Sequence, residues 1–291
     1  MFNILIIKLD AAGDVLRTTA LLSGLDKIAP GPKHITWITK AKNIPILKFC
    51  PQINDIYSDD YIVPLRQKEF DFAVNFDEDI SACDLLYTLK AKKKFGFINK
   101  QYQYSPATPD SDYAYRLSKD DELKFRLNTK TYPQIIYEMC GIEWSGERYA
   151  FNYPTKPGGY VALNSEVGDK WPTKKWLGWT YLKHELDVKD IPNQSQKKFE
   201  KLEEYFDWIA GSRIVVTGDS LGMHLAIAMG KPTIALFGPT SHVEIEPYDK
   251  LEKVYVKDLT CAPCYKKVCP YNLECMRGIT VQDLIEKITK I

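Results

Sequence analysis

Short runs of β-branched residues alternate with helical patterns along the whole chain, and this alternation most constrains its fold. The run Ile4–Ile7 leads into a glycine-containing turn at Ala11–Asp14, and a helical pattern follows as far as Leu25. Strand, tight turn and helix in this order are typical of the first unit of a doubly wound α/β domain. The same order returns from Tyr160–Asn164 onward, so the sequence predicts parallel sheets covered by helices in both halves.

The domain boundary is predicted within Asn152–Gly159, which contains two prolines and a pair of glycines. This predicts an N-terminal Rossmann-like domain of residues 1–152 and a C-terminal one of residues 153–291, which face one another across a cleft. The other predicted strands are His34–Thr39, Phe70–Asn75, Lys94–Phe97, Arg213–Thr217 and Thr233–Phe237. The later predicted helices are Asn43–Cys50, Ser81–Leu89, Thr131–Cys140, Gln196–Ile209, Leu221–Met229 and Val281–Ile291.

Two stretches of the sequence show no clear strand or helix. Asn99–Leu127 is polar and rich in tyrosine, aspartate and serine, and it is predicted to be a long loop. Such a loop either closes over a cleft or is a surface insertion, and the sequence leaves both alternatives open. Leu182–Gln194 is also polar and has no recognisable strand, which predicts a shortened C-terminal domain.

Charge and hydropathy exclude several classes of protein. The 39 basic and 38 acidic residues give a formal net charge of +1, so no overall field attracts nucleic acid. The apolar run at the N-terminus is too short for a signal peptide, and no stretch reaches the roughly 18 apolar residues of a membrane span. The expected location is therefore cytoplasmic, at most in peripheral contact with the inner face of the membrane.

The turn after Thr217 is the strongest candidate for an anion-binding site. A buried strand passes directly into a helix there, Gly218 and Gly222 allow close backbone approach, and Ser220 is a good N-cap residue. Amides at the start of a helix, together with the helix dipole, bind anions such as a pyrophosphate. The alternative is that these residues only cap the helix, and the turn by itself supports both interpretations.

Two motifs extend this interpretation. The segment from Thr217 to Thr240 begins Thr-Gly-Asp-Ser-Leu-Gly-Met-His and ends Phe-Gly-Pro-Thr, and it resembles the hallmark of the lipopolysaccharide heptosyltransferase family, glycosyltransferase family nine. The segment Lys8–Thr19 resembles the other signature of that family. The resemblance implies a GT-B fold, in which the N-terminal domain binds the acceptor and the C-terminal domain binds the nucleotide-sugar.

The resemblance also implies roles for individual residues. Asp14 matches the general base of the family, and Lys170, within Gly168–Pro172, matches a lysine that contacts the donor phosphates. The donor-binding turn is matched by Asp219, Ser220, Leu221, Gly222, Met223 and His224. Structural alternatives stay open: Asp14 is also placed to stabilise a helix N-terminus, and a histidine within a helix, such as His224, is more often a packing residue.

The chemistry of sugar transfer fits these assignments. A carboxylate accepts the proton of the attacking hydroxyl, while fixed cations and amides stabilise the departing diphosphate. Thr240 follows the next strand and is a candidate donor ligand, or else a plain capping residue. No Asp-x-Asp pair stands in a suitable position to hold a metal–nucleotide complex, so catalysis is expected to need no metal cofactor. Lys174 and Lys175 are expected to be solvated.

Four of the seven cysteines are clustered at Cys261, Cys264, Cys269 and Cys275. In a reducing compartment a disulfide framework is not expected, whereas four thiols at this spacing suit a structural zinc or iron ion or an iron–sulfur cluster. The alternative is that the thiols are reduced and unligated or form adventitious disulfides.

Together these patterns predict an inverting glycosyltransferase. It transfers a heptose or a related sugar from a nucleoside-diphosphate donor, with ADP-heptose as one candidate, to a lipopolysaccharide core or another surface glycan or glycolipid. Two alternatives remain: a non-catalytic nucleotide-sugar-binding or assembly subunit, and a GT-B nucleotide-sugar epimerase. The shortened segment at Leu182–Gln194 leaves open which residues recognise the nucleotide base.

Overall fold

The computed structural model describes residues 1–168 and 170–291, which form two compact units, Met1–Asn152 and Tyr153–Ile291. Each unit is a sheet of mostly parallel strands packed against helices. The alternation of strand and helix that is visible in the sequence therefore produces one α/β domain in each unit.

The N-terminal sheet has six strands in the order β3-β2-β1-β4-β5-β6. All neighbours pair in parallel except β5 and β6, which are antiparallel. Central strands such as β1 are buried on both faces, as expected for a parallel sheet. The strands are β1 (Phe2–Ile7), β2 (Lys33–Thr39), β3 (Asp55–Ser58), β4 (Glu69–Asn75), β5 (Lys90–Lys100) and β6 (Gln103–Pro106).

Five α-helices accompany this sheet. The first is shorter than predicted because the helical pattern continues from Thr19 to Lys27 as a 3₁₀-helix. The helices are α1 (Ala12–Thr18), α2 (Ile44–Leu47), α3 (Ile80–Thr88), α4 (Asp112–Lys119) and α5 (Tyr132–Met139).

The C-terminal sheet is fully parallel, with the order β11-β10-β9-β7-β8. Its apolar core includes Val161, Leu182, Val216 and Leu284. The strands are β7 (Tyr160–Asn164), β8 (Asn193–Ser195), β9 (Ser212–Gly218), β10 (Thr233–Leu236) and β11 (Leu251–Val254). The helices are α6 (Trp179–Val188), α7 (Leu202–Ala210), α8 (Leu221–Ala228), α9 (Glu274–Arg277) and α10 (Val281–Lys290).

Several sequence-based predictions of secondary structure are wrong in the polar segments. The predicted loop Asn99–Leu127 contains β6, α4 and a π-helical turn at Leu123–Leu127. The strand at the predicted position Lys94–Phe97 is longer, Lys90–Lys100, because its exposed lysines interrupt the hydrophobic pattern. Leu182–Gln194 contains most of α6 and the start of β8, so the C-terminal domain does have a strand in this position.

Candidate functional site

The order of strands shows where each sheet is suited to bind a ligand. In the N-terminal sheet the order reverses between β1 and β4, and in the C-terminal sheet it reverses between β7 and β9. Ligands of open α/β sheets bind outside the carboxyl ends of the strands at such a switch point. The residues that follow these four strands are therefore the first to consider.

A buried ion pair occupies the switch point of the N-terminal domain. Lys8 follows β1, and its ammonium group donates to the carboxylate of Asp77, which lies just after β4. The backbone amide of Leu9 donates to the other oxygen of the same carboxylate. Burial alone would lower the pKa of Lys8, but Asp77, with help from Tyr132 and Asp14, raises it above its ordinary value. Lys8 therefore keeps its charge inside the protein.

Asp14 lies beside this pair, in the first turn of α1. One carboxylate oxygen is 2.9 Å from the guanidinium of Arg17, and the other accepts a long bond of 3.4 Å from the amide of Ala11. The side chain of Asp14 is 35% exposed, so a solute can reach it. The guanidinium of Arg17 also stacks over the ring of Tyr132, 3.7 Å from its centroid. Asp14 thus caps a helix and is also accessible.

A buried hydrogen-bond network occupies the switch point of the C-terminal domain. Asn164 ends β7, and its side-chain amide donates to the hydroxyls of Thr217 and Ser220 at 2.8 and 3.0 Å. Its carbonyl oxygen accepts a bond of 2.6 Å from the hydroxyl of Tyr205 on α7. The network fixes the end of β9 and the start of α8 against β7. Sequence analysis missed both Asn164 and Tyr205.

The helix α8 begins with amides that no side chain caps. Ser220 is the N-cap residue by position, but its hydroxyl is engaged by Asn164 and makes no capping bond. Gly222 lets the helix approach this network, because a β-carbon there would lie 2.3 Å from the hydroxyl oxygen of Tyr205. Uncapped amides at the positive end of a helix dipole form a suitable anion site.

Asp219, between β9 and α8, pairs with Lys174. The ammonium group of Lys174 lies 2.8 Å from the Asp219 carboxylate and 2.9 Å from the backbone carbonyl oxygen of the same residue. Burial alone would raise the pKa of Asp219, but Lys174, and then His224 and Thr240, lower it below its ordinary value. The expectation that Lys174 is solvated is therefore wrong, because it is the cation that holds the donor turn.

The remaining residues assigned to the turn differ in burial. Met223 packs in an apolar cluster with Ala235 and Phe237, so only its backbone is available to a ligand. His224 is buried, whereas Leu221 is partly exposed. Thr240 is buried after β10, and its hydroxyl has no hydrogen-bond partner among residues 1–168 and 170–291, although it lies near enough to Asp219 to affect its pKa.

Lys170 occupies a different position from Lys174. Its side chain is exposed, and its ammonium nitrogen lies 5.8 Å from the centroid of the Trp171 ring. Asp169, in the same predicted motif, lies outside the described residues.

A cavity of about 590 Å³ adjoins the network at the ends of β7 and β8. It is lined by Glu166 after β7, by residues 196–202 after β8, and by Tyr205. The ring of Phe199 is half-buried in this wall and packs against Tyr205, with centroids 5.1 Å apart. Tyr205 therefore lines the cavity and also donates to Asn164, so it lies between the cavity and the hydrogen-bond network at the end of β9.

The structure does not support a metal site at the four cysteines. In the part of the chain that the structure describes, no group of three or more histidine, cysteine or acidic side chains is arranged to hold a metal. Burial, and after it the proximity of the other three thiols, raises the pKa of Cys275 to about 11. Cys269 instead accepts the amides of Tyr271 and Leu273. The predicted metal site at Cys261, Cys264, Cys269 and Cys275 thus finds no support in the geometry of the described residues and stays a prediction.

Solved structures with the same fold define the class of this protein. A glycosyl transferase of family 9 from Veillonella parvula has a TM-score of 0.70 and 16% identity, covering 99% of this chain and 96% of the other. Heptosyltransferase WaaC of E. coli, solved with ADP-2-deoxy-2-fluoro heptose, has a TM-score of 0.64 and 16% identity, covering 99% of both chains. The predicted α/β fold of two Rossmann-like domains, the GT-B class, is confirmed.

Sequence comparison shows a resemblance to one family over part of the chain. The model of glycosyltransferase family 9 (heptosyltransferase) matches residues 200–274, which include the turn at Asp219, and this confirms the predicted resemblance. Lipooligosaccharide heptosyltransferase 2 of Campylobacter jejuni is 34% identical over 85 residues, 28% of this chain and 27% of that protein. Lipopolysaccharide heptosyltransferase 1 of Pseudomonas aeruginosa is 41% identical over 64 residues, 22% of this chain and 18% of that protein. The alignments thus span about a quarter or less of these relatives.

Proposed function

We propose that this protein is an inverting glycosyltransferase that moves a heptose or a related sugar from a nucleoside-diphosphate donor. The proposed acceptor is a lipopolysaccharide core or another surface glycan or glycolipid, met at the cytoplasmic face of the membrane. No helix among the described residues is long and apolar enough to cross a membrane. The observation that carries the proposal is the start of α8, where uncapped amides and the Asp219–Lys174 pair occupy a switch point inside the family-matched segment.

The donor diphosphate is proposed to bind at the start of α8. The amides of its first turn and the helix dipole favour an anion, and the exposed Lys170, four residues before Lys174, is proposed to supply a positive charge. Such groups stabilise a departing diphosphate more than the intact donor, because negative charge develops on it in the transition state. They do so without a divalent metal. The WaaC structures named with ADP and with ADP-2-deoxy-2-fluoro heptose support an adenosine donor here.

The nucleoside is proposed to occupy the cavity beside the donor turn. Its volume is sufficient for a nucleoside, and Phe199 offers an aromatic face while Glu166 and Gln196 offer polar atoms. The link through Tyr205 and Asn164 places this cavity next to the proposed phosphate site. This proposal supplies residues for base recognition in the segment that the sequence left unassigned.

The N-terminal domain is proposed to supply the base. Asp14 accepts the proton of the acceptor hydroxyl while the oxygen of that hydroxyl forms a bond to the anomeric carbon of the donor sugar. The bond between the anomeric carbon and the diphosphate breaks in the same step. The Asp14 side chain is 35% exposed, so an acceptor hydroxyl can reach its carboxylate. Arg17 and Lys8 hold positive charge close to this carboxylate.

A non-catalytic nucleotide-sugar-binding subunit is the second candidate. The observation that favours it is the structural role already visible at Asp14, which caps α1 and pairs with Arg17. A protein that only binds nucleotide-sugars needs no base, and for such a protein Asp14 would serve the stability of the helix alone.

Replacement of Asp14 by asparagine separates the two candidates. For a transferase, release of nucleoside diphosphate in the presence of acceptor falls by about 100- to 10,000-fold, while donor affinity measured by calorimetry stays within about twofold. Asp10→Asn is the matched control, because this carboxylate is close in sequence and pairs with the exposed side chains of Lys40 and Lys42. Equal turnover of the Asp14→Asn variant and the wild type would refute the base assignment, and a wild type that binds donors without transfer would favour the binding subunit.

A further inference from the structure

The loop that carries the four cysteines, residues 261–275, contacts the turn that follows β10. The backbone amides of Cys264 and Tyr265 both donate to the carbonyl oxygen of Pro239, at 2.9 and 2.8 Å. Two bonds to one carbonyl fix the peptide of Pro239 against the loop, which from here on is called the cysteine loop.

The other end of the cysteine loop packs on Gly238. A β-carbon at Gly238 would lie 3.0 Å from the sulfur of Cys275 and 2.4 Å from that of Met276, so the end of the loop packs closely on this glycine. Because Pro239 is bonded to the first half of the loop and Gly238 is in contact with its end, the loop holds this turn at two points.

The hydroxyl of Tyr265 makes the next contact along the turn. It accepts a bond of 3.1 Å from the amide of Ser241 and donates to the carboxylate of Glu244 at 3.3 Å. Tyr265 has a φ of +51°, in the left-handed region that residues other than glycine rarely adopt. Such a conformation persists where the surroundings hold it, and here the contacts of both the backbone and the hydroxyl do so.

The same side chain reaches the segment that contains the predicted phosphate lysine. The ring of Tyr265 packs edge to face on that of Trp171, with centroids 5.7 Å apart. Next to this contact, the hydroxyl of Thr173 donates to the carbonyl oxygen of Lys266 at 2.6 Å. One tyrosine thus connects the cysteine loop, the turn after β10 and the segment before Lys174.

Thr240 lies between Pro239 and Ser241, and Tyr265 is hydrogen-bonded to the backbone of both of these neighbours. Its hydroxyl is buried close to Asp219, whose pKa it helps to lower, but it makes no hydrogen bond of ordinary geometry among the described residues and can therefore turn to a ligand oxygen. We propose that Tyr265 is a positioning residue for the donor: it fixes the backbone on both sides of Thr240 and thereby holds the Thr240 hydroxyl for a donor diphosphate. This inference rests on the proposed function of the C-terminal domain.

Tyr265→Phe tests this role, because it keeps the ring contact with Trp171 and removes only the hydroxyl. We expect the dissociation constants of ADP and UDP, measured by calorimetry, to rise about 5- to 20-fold. This is the effect of losing one hydrogen bond and with it the fixed position of the Thr240 hydroxyl. Tyr271→Phe is the matched control, since Tyr271 is an exposed tyrosine of the same loop. Its affinity for both nucleotides should stay that of the wild type.

Two further readouts separate positioning from a general structural effect. Hydrogen exchange at the amide of Ser241 should accelerate in Tyr265→Phe, because that amide loses its acceptor, and it should not accelerate in Tyr271→Phe. If Tyr265 acts through Thr240, adding Tyr265→Phe to Thr240→Val should weaken nucleotide binding by less than twofold further.

The outcomes distinguish this inference from the function on which it rests. Unchanged nucleotide affinity of Tyr265→Phe, or additive effects with Thr240→Val, would overturn the positioning role while the donor site stands. A wild-type protein that binds neither ADP nor UDP would overturn the proposed donor site, and the role of Tyr265 with it.

Discussion

Replacing Lys174 with methionine removes one positive charge from the donor turn and leaves the length of the side chain nearly unchanged. In the wild type the Lys174 ammonium group contacts both the carboxylate and the carbonyl oxygen of Asp219, and the two side chains are only 15% and 18% exposed. The variant therefore leaves a largely buried carboxylate without its main cation. The substitution therefore changes the charge inside the turn and leaves the exposed residues around it unchanged.

The size of the effect follows from this burial. Breaking a buried pair by removal of one partner destabilises a protein by about 3–5 kcal/mol, because the remaining charge stays desolvated. Since both side chains of this pair keep some contact with solvent, we expect the lower end, about 3 kcal/mol. For a chain of this size that corresponds to a fall of roughly 10 °C in Tm, measured by calorimetry or circular dichroism.

Lys175→Met is the control, since Lys175 is the exposed neighbour of Lys174. It should change Tm by about 1 °C or less. The double variant Lys174→Met with Asp219→Leu removes both charges and should recover most of the loss, because no unpaired charge stays buried. If Lys174→Met were no less stable than Lys175→Met, the pair would not hold the turn and the argument would fail.

The same pair predicts a dependence on pH. The pKa of Asp219 is lower in the folded protein than its ordinary value, so its contribution to stability is complete above the unfolded pKa of about 4. The contribution is lost as the pH falls through the folded pKa. The difference in unfolding free energy between the wild type and Asp219→Asn should stay constant from pH 8 to 5 and shrink below about pH 4.

Two further substitutions test the packing of the turn and the nucleoside site. Gly222→Ala should destabilise the protein by about 2 kcal/mol in chemical denaturation, because its β-carbon would overlap the Tyr205 hydroxyl, whereas Gly218→Ala, with open space at that position, should change stability little. Phe199→Ala should weaken ADP binding roughly tenfold and leave inorganic pyrophosphate binding unchanged, and equal losses for both would contradict a nucleoside site at Phe199.

The elements that could be predicted from the sequence are those with buried, repetitive patterns. The runs at Ile4–Ile7 and Arg213–Thr217 lie within central strands, and hydrophobic residues without interruption are typical of strands covered on both faces. The outer strands β3, β8 and β11 are short and polar, because one edge meets solvent, and they show no such pattern. Helix α4 was missed for a related reason, since only a narrow face of it is buried.

The donor turn could be predicted as a motif, but its supporting residues could not. Ser220 suggests a capping role by its position, yet its hydroxyl is taken up by Asn164, which lies 56 residues earlier in the chain. Tyr205 lies on α7, and the hydrophobic pattern of that helix already accounts for its burial. Nothing in the sequence therefore marks Tyr205 as a residue of the site. Contacts of this kind depend on strand order, because β7 and β9 become neighbours only when the chain reverses direction across the sheet.

For the two lysines near Trp171, the sequence does not predict which one is buried and which one is exposed. Lys170 and Lys174 are four residues apart, and the polar sequence around them gives no reason to bury one and expose the other. A short 3₁₀ turn at Pro172–Lys174 directs the chain so that Lys174 meets Asp219 while Lys170 remains exposed. Lys174 therefore forms the ion pair that stabilises the turn, and the Asp219 carboxylate largely compensates its charge. Lys170 is exposed and so remains accessible to a ligand, as the proposed contact with the donor phosphates requires.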